Sequence, residues 1–191
     1  MSNRRRVIAA VAACTVSLGA LPALAGEISY NFASVSGEST PATLQGATFS
    51  SPSDPGAFTF GPNGGLFSAL GPYVLSSNGA VATLDISFAS PISLLSFDFA
   101  LGDLFGSGGG DTLTVTANDG SSVVRTAALV GSDFFPEGSL TLSGTGAFTS
   151  VIVTSAYPIV IADMATVPEP ATMTVLGTGL LALAMLRRRA G

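Results

Sequence analysis

Residues 80–100, AVATLDISFASPISLLSFDFA, alternate between apolar and polar side chains over two short runs. Leu84, Ile86 and Phe88 share one parity, with Thr83, Asp85 and Ser87 on the other. Past Pro91, Leu95, Phe97 and Phe99 alternate with Ser96 and Asp98. A period of two belongs to a half-buried strand, because successive side chains point to opposite faces. The spacing predicts strands over 80–88 and 92–100. Pro91 should end the first, since it has no N–H to give to a ladder. Leu95, Phe97 and Phe99 are expected in the core and Asp98 outside it.

The same period spreads outward from this stretch. Leu113 and Val115 oppose Thr112, Thr114 and Thr116, which puts the first two inside. Asn118-Asp119-Gly120 then separates that run from 122–129, a hairpin signal because the turn needs residues that tolerate positive φ. Residues 139–142, 149–154 and 159–165 read as strands, as do 28–32, 47–50 and 58–60. Between 34 and 72 the pattern is broken by prolines and glycines. The total is about nine or ten short strands with no amphipathic stretch of helix length. One parity is mostly Ser and Thr, so each sheet should be wet on one face and packed on the other. The expected fold is all-β: two stacked antiparallel sheets in a jelly-roll-like β-sandwich.

Composition narrows the function. The chain is 47% hydrophobic and only 10% charged, and lysine, histidine and tryptophan are absent. Between Gly26 and Thr166 eleven acidic residues stand against the single base Arg125, a net charge of −10. Such a surface repels phosphate backbones, which excludes a nucleic-acid partner. The one cysteine, Cys14, lies near the start of the chain, so the domain has neither disulfide nor thiolate chemistry.

Both ends differ from the middle. Residues 1–25 have the order of a secretory signal peptide: Arg4, Arg5 and Arg6, an apolar run over 7–21, then Ala23-Leu24-Ala25 as a small-x-small cleavage site. Cleavage after Ala25 would leave Gly26 as the new N-terminus. Twin-arginine export lacks its polar context here. A lipid-attachment reading of Cys14 suffers from the apolar residues that follow it. At the other end, Val167, Pro168, Glu169 and Pro170 form a rigid step. The apolar run 171–186 follows, and Arg187, Arg188 and Arg189 close the segment. As a helix that run spans about 24 Å, near the ~30 Å hydrocarbon core. The arginines should stay cytoplasmic and leave everything before the helix outside. The chain thus divides into a leader (1–25), a β domain (26–166) and a C-terminal segment with one transmembrane helix (167–191).

Val167-Pro168-Glu169-Pro170-Ala171-Thr172, the apolar run and the terminal arginines together resemble the PEP-CTERM sorting signal of Gram-negative bacteria. The resemblance implies recognition by exosortase, an integral membrane protein with a transpeptidase role on the signal. It implies export, transient anchoring in the inner membrane, and a final place at the cell surface or in the extracellular polysaccharide matrix. Phe88–Phe97, the glycine run 106–110 and Thr112–Val115 further resemble the β-sandwich domains that such proteins carry. The function implied is structural or adhesive, with exopolysaccharide as a partner.

The catalytic inventory is short. Without His, Lys or Cys after residue 25, Ser–His, Cys–His and Ser–Lys nucleophiles are impossible, as is a histidine-bearing zinc site. Asp98 and Asp103 are the pair that a glycoside hydrolase would need, although acids spread along the domain read as solvated charges. No enzyme activity is expected. Asp98, Asp103 and Asp111 flank and interrupt a glycine-rich loop whose carboxylates and carbonyls would suit calcium, without EF-hand spacing. No cofactor other than calcium fits these residues. A carbohydrate- or calcium-binding module is the alternative function; Tyr30, Tyr73 and Tyr157 are the only flat aromatics with a polar handle.

Overall fold

A computed structural model describes residues 26–102, 111–129 and 135–169. The leader with Ala23 and Ala25, Asp103, Pro170, the apolar run and Arg187, Arg188 and Arg189 lie outside the described residues. No helix among the described residues is long and apolar enough to cross a membrane.

The described chain is all-β. Its strands are β1 (Ile28–Ser29), β2 (Ala42–Leu44), β3 (Ala47–Ser50), β4 (Thr59–Pro62), β5 (Tyr73–Ser76) and β6 (Leu84–Leu101). Then come β7 (Thr112–Ala117), β8 (Ser122–Thr126), β9 (Ala128–Leu129), β10 (Pro136–Ser155) and β11 (Ile159–Pro168). All their pairings are antiparallel. The expected first strand, 28–32, stops at Ser29. Asn31 Oδ1 accepts the Ala33 N–H at 3.1 Å and caps a single 3₁₀ turn, Phe32–Val35. A polar side chain that bonds its own backbone competes with the ladder, and here it wins.

Hydrogen bonding joins the strands into one sheet, ordered β4-β5-β11-β6-β10-β7-β8, where two separate sheets were expected. The reason is the length of β6 and β10. Leu84–Phe88 pairs with β3 on one side and with Ser150–Val153 of β10 on the other. Farther along, residues 92–101 pair with β11 and with residues 137–143 of β10. Each long strand serves both halves of the sheet. Their register breaks between Ser143 and Ser150, where β10 is bulged. Bulges bend a strand and sharpen its twist. Pro91 falls where β6 changes neighbours, so its missing N–H breaks no ladder bond and the strand continues through it.

Both halves contribute to one apolar core. Leu95, Phe97, Phe99, Leu113 and Val115 are buried as the alternation required, while Asp98 and Thr114 are half-buried. Phe32, Phe49 and Phe60 meet edge to face with ring centroids 5.2–5.9 Å apart. Edge-to-face contacts suit the ring quadrupole. A smaller apolar cluster of Phe67, Leu70, Val74, Ala100, Val160 and Ala162 packs separately, with Phe135 against it.

The Asn118-Asp119-Gly120 turn joins β7 to β8, with Gly120 at φ 88°. Asp119 accepts the N–H and hydroxyl of Ser121, then the Thr145 hydroxyl and the Gly146 N–H. It thereby ties the hairpin to the bulged part of β10. These bonds, the Ser121 N–H first, hold its carboxyl below the ordinary value. Their contribution is present above the ordinary carboxylate range and is lost as pH falls through the lowered value.

Candidate functional site

The C-terminal segment and the acidic loop are the two regions to which the sequence pointed. The first is built on β11. Ile159, Val160, Ile161 and Ala162 are all buried, because Ile159 and Ile161 enter the main core and Val160 and Ala162 the smaller cluster. A strand covered on both faces loses its alternation. Asp163 then adopts φ 49° and the register to β6 shifts between Ala162 and Ala165. The shift returns Met164 to the main core.

Beyond the bulge the strand is held on two sides. Ala165 and Thr166 pair with Ser96 and Leu95 of β6 and with Ser29 and Ile28 of β1. Thr166 is fully buried, and its hydroxyl lies 3.3 Å from the Tyr30 hydroxyl. Desolvation by burial raises the Tyr30 pKa, an effect that this hydroxyl contact opposes. Val167 and Pro168 continue the strand opposite Leu94 and Ile92, both half-buried. The Ser93 hydroxyl donates to the Val167 carbonyl at 3.3 Å, and the Glu169 N–H donates to the Pro91 carbonyl at 3.0 Å. The domain therefore runs past residue 166. Val167, Pro168 and the backbone of Glu169 are part of the sheet, while the Glu169 side chain is exposed.

The acidic loop looks different from its sequence. Asp98 is half-buried, and its carboxyl is raised above the ordinary 3.8 by burial and then by the nearby charge of Asp163. Asp163 itself accepts the Gly71 N–H at 2.8 Å. A Cβ on Gly71 would stand 2.5 Å from that carboxylate, so a larger residue there would make the Asp163 side chain shift. Asp111 is buried before β7, and its carbonyl accepts the Ala127 N–H. Among the described residues no group of three His, Cys, Asp or Glu side chains gathers to hold a metal.

The raised Asp98 value has a testable sign. A carboxyl favoured in its protonated form by folding costs stability above its folded pKa, and that cost disappears below the ordinary value. Asp98→Asn is therefore expected to raise the melting temperature at pH 7. The advantage should shrink as pH falls toward 3.8, as a series of thermal melts would read directly. An unchanged or lowered melting temperature at pH 7 would contradict it.

A cleft of about 590 Å³ opens beside β4 and β5, lined by Thr59, Asn63, Leu66, Phe67, Asn78 and Val160 among others. Its wall is the loop 63–72, which two buried polar residues hold in place. Asn63 donates to the carbonyls of Phe67, Leu70 and Gly71 and accepts the Phe67 N–H. Glu137, at the start of β10, is 3% exposed and accepts the Ser68 and Ala69 N–H groups at 2.9 and 2.7 Å. Neither stood out in the sequence. Glu137 is 68–69 residues from its partners, and nothing local marks it as buried. Its neighbour Pro136 gave no such hint.

Three comparisons bear on this architecture. No curated protein matches the chain in sequence. The cleaved adhesin domain K2 of Lys-gingipain superposes with a TM-score of 0.51 at 14% identity, over 75% of this chain and 99% of that one. At that identity the likeness shows the fold alone. The K1 adhesin domain from Porphyromonas gingivalis W83 gives 0.48 at 9% identity over 75% and 99%. TmCBM61, solved with β-1,4-galactotriose, gives 0.39 at 14% over 70% and 92%. Residues 166–189 match the family described as the PEP-CTERM protein-sorting motif. The match starts at the buried Thr166 and covers the rigid step, the apolar run and the arginines, so this chain carries a PEP-CTERM sorting motif whose first residues are built into its β domain.

Proposed function

We propose that the protein is an exported, exosortase-processed structural or adhesive component of the cell surface or the extracellular polysaccharide matrix. The observation that carries this reading is the sorting motif over residues 166–189. In this account the leader is removed after Ala25. The apolar run holds the chain in the inner membrane while Arg187, Arg188 and Arg189 orient it. Processing then frees a jelly-roll-like β-sandwich. We read the domain as non-catalytic, because residues 26–166 hold no histidine, lysine or cysteine to activate a nucleophile and the Asp98 carboxyl lies near the like charge of Asp163. A fold shared with an adhesin domain names no ligand by itself, because sites are grafted onto folds.

The alternative is a carbohydrate- or calcium-binding module, favoured by the 590 Å³ cleft with Thr59 and Asn78 at its polar side. Binding experiments with the exported form separate the two. The structural reading predicts co-sedimentation with the polysaccharide matrix of the producing cells, unchanged by chelator, and no defined oligosaccharide on a glycan array. Capture of one defined glycan, or binding that vanishes with chelator, would replace it with the alternative.

A further inference from the structure

We propose that the Asn78-Gly79 step is a site of slow chemical modification, at which water replaces the side-chain amide of Asn78 while Asn63-Gly64 is spared. These are the two Asn-Gly steps of the chain. In such a step the backbone nitrogen after the asparagine can reach the side-chain carbonyl carbon, and glycine has no Cβ to crowd the approach.

The two steps share a sequence and differ in what holds the asparagine. Asn78 and Gly79 are the central pair of a tight turn, at φ 53° and 84°, closed by the Ala80 N–H on the Ser77 carbonyl at 3.0 Å. Two successive positive φ values belong to a type I′ turn, which favours Asn-Gly. Both residues are exposed. The Asn78 side chain makes one bond, from Nδ2 to the Thr59 hydroxyl at 2.9 Å. Asn63 is 7% exposed. Its Nδ2 donates to the carbonyls of Phe67, Leu70 and Gly71, and its Oδ1 accepts the Phe67 N–H. Gly64 and Gly79 are both exposed, and neither N–H has an acceptor among the described residues. The asparagine therefore sets the difference. Attack needs the backbone to flex and the side chain to turn. An exposed turn with one side-chain bond opens for this far more readily than a buried network that holds the whole loop 63–72.

The step balances with water as its one co-reactant. The Gly79 nitrogen, its proton lost to hydroxide, attacks Cγ of Asn78, and the new N–Cγ bond closes a five-membered ring. The Cγ–Nδ2 bond breaks, and Nδ2 leaves as ammonia with a proton taken from water, which restores the hydroxide. Water then opens the ring. Attack at Cγ breaks the N–Cγ bond and leaves aspartate. Attack at the backbone carbonyl carbon breaks the peptide bond to Gly79 and leaves isoaspartate, with the chain running through the former side chain. Either product carries a new carboxylate at position 78 and has lost the donor to Thr59. Asn78 lines the 590 Å³ cleft, whose described lining holds no charged side chain. The modification puts a negative charge there and turns the cleft against anionic ligands as the protein ages.

The test holds the full chain in detergent micelles at mildly alkaline pH, in water labelled with heavy oxygen. Residues 63 and 78 are followed by tandem mass spectrometry of peptides prepared at low pH. In the folded chain Asn78 is expected to take up label at least about tenfold faster than Asn63, because several net-favourable side-chain bonds must open at Asn63 against one at Asn78. In denaturant those bonds are gone and glycine follows both residues, so the two rates should converge. A smaller difference in the folded chain, faster reaction at Asn63, or no label at residue 78 overturns the proposal. So does a preference for Asn78 that persists undiminished in denaturant, which would assign the selectivity to local sequence.

Discussion

Phe49→Ala is expected to lower the melting temperature by about 10–20 °C, with a loss of about 3–5 kcal/mol. Phe49 sits on β3 opposite Ile86 and has no exposed surface. It is the ring at which Tyr30, Phe32 and Phe60 converge, with centroids 6.5, 5.9 and 5.4 Å away. Removing it takes away the transfer energy of a buried phenyl group and leaves a cavity that three other rings cannot fill without losing their own contacts. A small domain has only about 5–15 kcal/mol in total, so this is a large share. Val124→Ala on the exposed edge strand β8, where Val124 is 53% exposed, is the control and should stay within about 0.5 kcal/mol. Comparable shifts for the two variants in a thermal melt would show that the core has been misplaced.

Glu137→Ala should cost about 3 kcal/mol and loosen one loop specifically. The Glu137 carboxylate accepts two backbone N–H groups, and bonds to a charged acceptor are worth about 1.5–3 kcal/mol each, with incomplete additivity. Without it the Ser68 and Ala69 N–H groups lose this acceptor, while the Asn63 bonds and the Gly71–Asp163 bond still hold the two ends of the loop 63–72. Limited proteolysis should then nick the variant first between Gly64 and Gly71, while wild type resists there. Cleavage spread evenly over the domain, or none in this loop, would mean that the carboxylate does not hold it. Glu137→Gln keeps one accepting oxygen and should fall between the two.

These two residues illustrate what the sequence could and could not convey. Phe49 lies in a short β-rich run, so its strand was legible, although its three ring partners were not. Leu95, Phe97, Phe99, Leu113 and Val115 were legible because each has one wet face behind it, and a period of two follows directly. Ile159–Ala162 carries no such period, since both of its faces are covered. Glu137 and Asn63 act through bonds to a loop, and a carboxylate far along the chain has the same letter whether it is buried or solvated. Asp98 has a neighbour that the sequence does not show. Asp98 and Asp111 bracket one loop in sequence, and the sheet also gives Asp98 the company of Asp163, which lies 65 positions away and one strand over.

Proline lies behind two of the boundary differences. Read locally, Pro91 ends a strand and Val167-Pro168 begins a separate segment. In the sheet, Pro91 occupies the point where β6 exchanges β3 for β11 as a neighbour, and Pro168 pairs one residue away from it. A missing N–H is costly only where a ladder calls for it. The sorting motif itself was legible in full, because the order of rigid step, apolar run and arginines is written in composition. Its attachment to the sheet was not, because that depends on β6 arriving beside it from 71 to 76 residues earlier, Leu95 opposite Thr166 and Ile92 opposite Pro168.

The central claim is that the C-terminal segment is a sorting signal that is read and removed. It is tested most directly by Glu169→Ala combined with Pro170→Ala. The Glu169 side chain is exposed and its sheet bond uses the N–H, so alanine at 169 keeps that bond and removes the carboxylate that an enzyme could recognise. Subcellular fractionation with mass spectrometry of each fraction is the measurement. Wild type should appear outside the inner membrane without Arg187–Arg189, and the double variant should remain full-length in the membrane fraction. Normal release of the double variant, or wild type that still carries Arg187–Arg189 outside the membrane, would contradict the account.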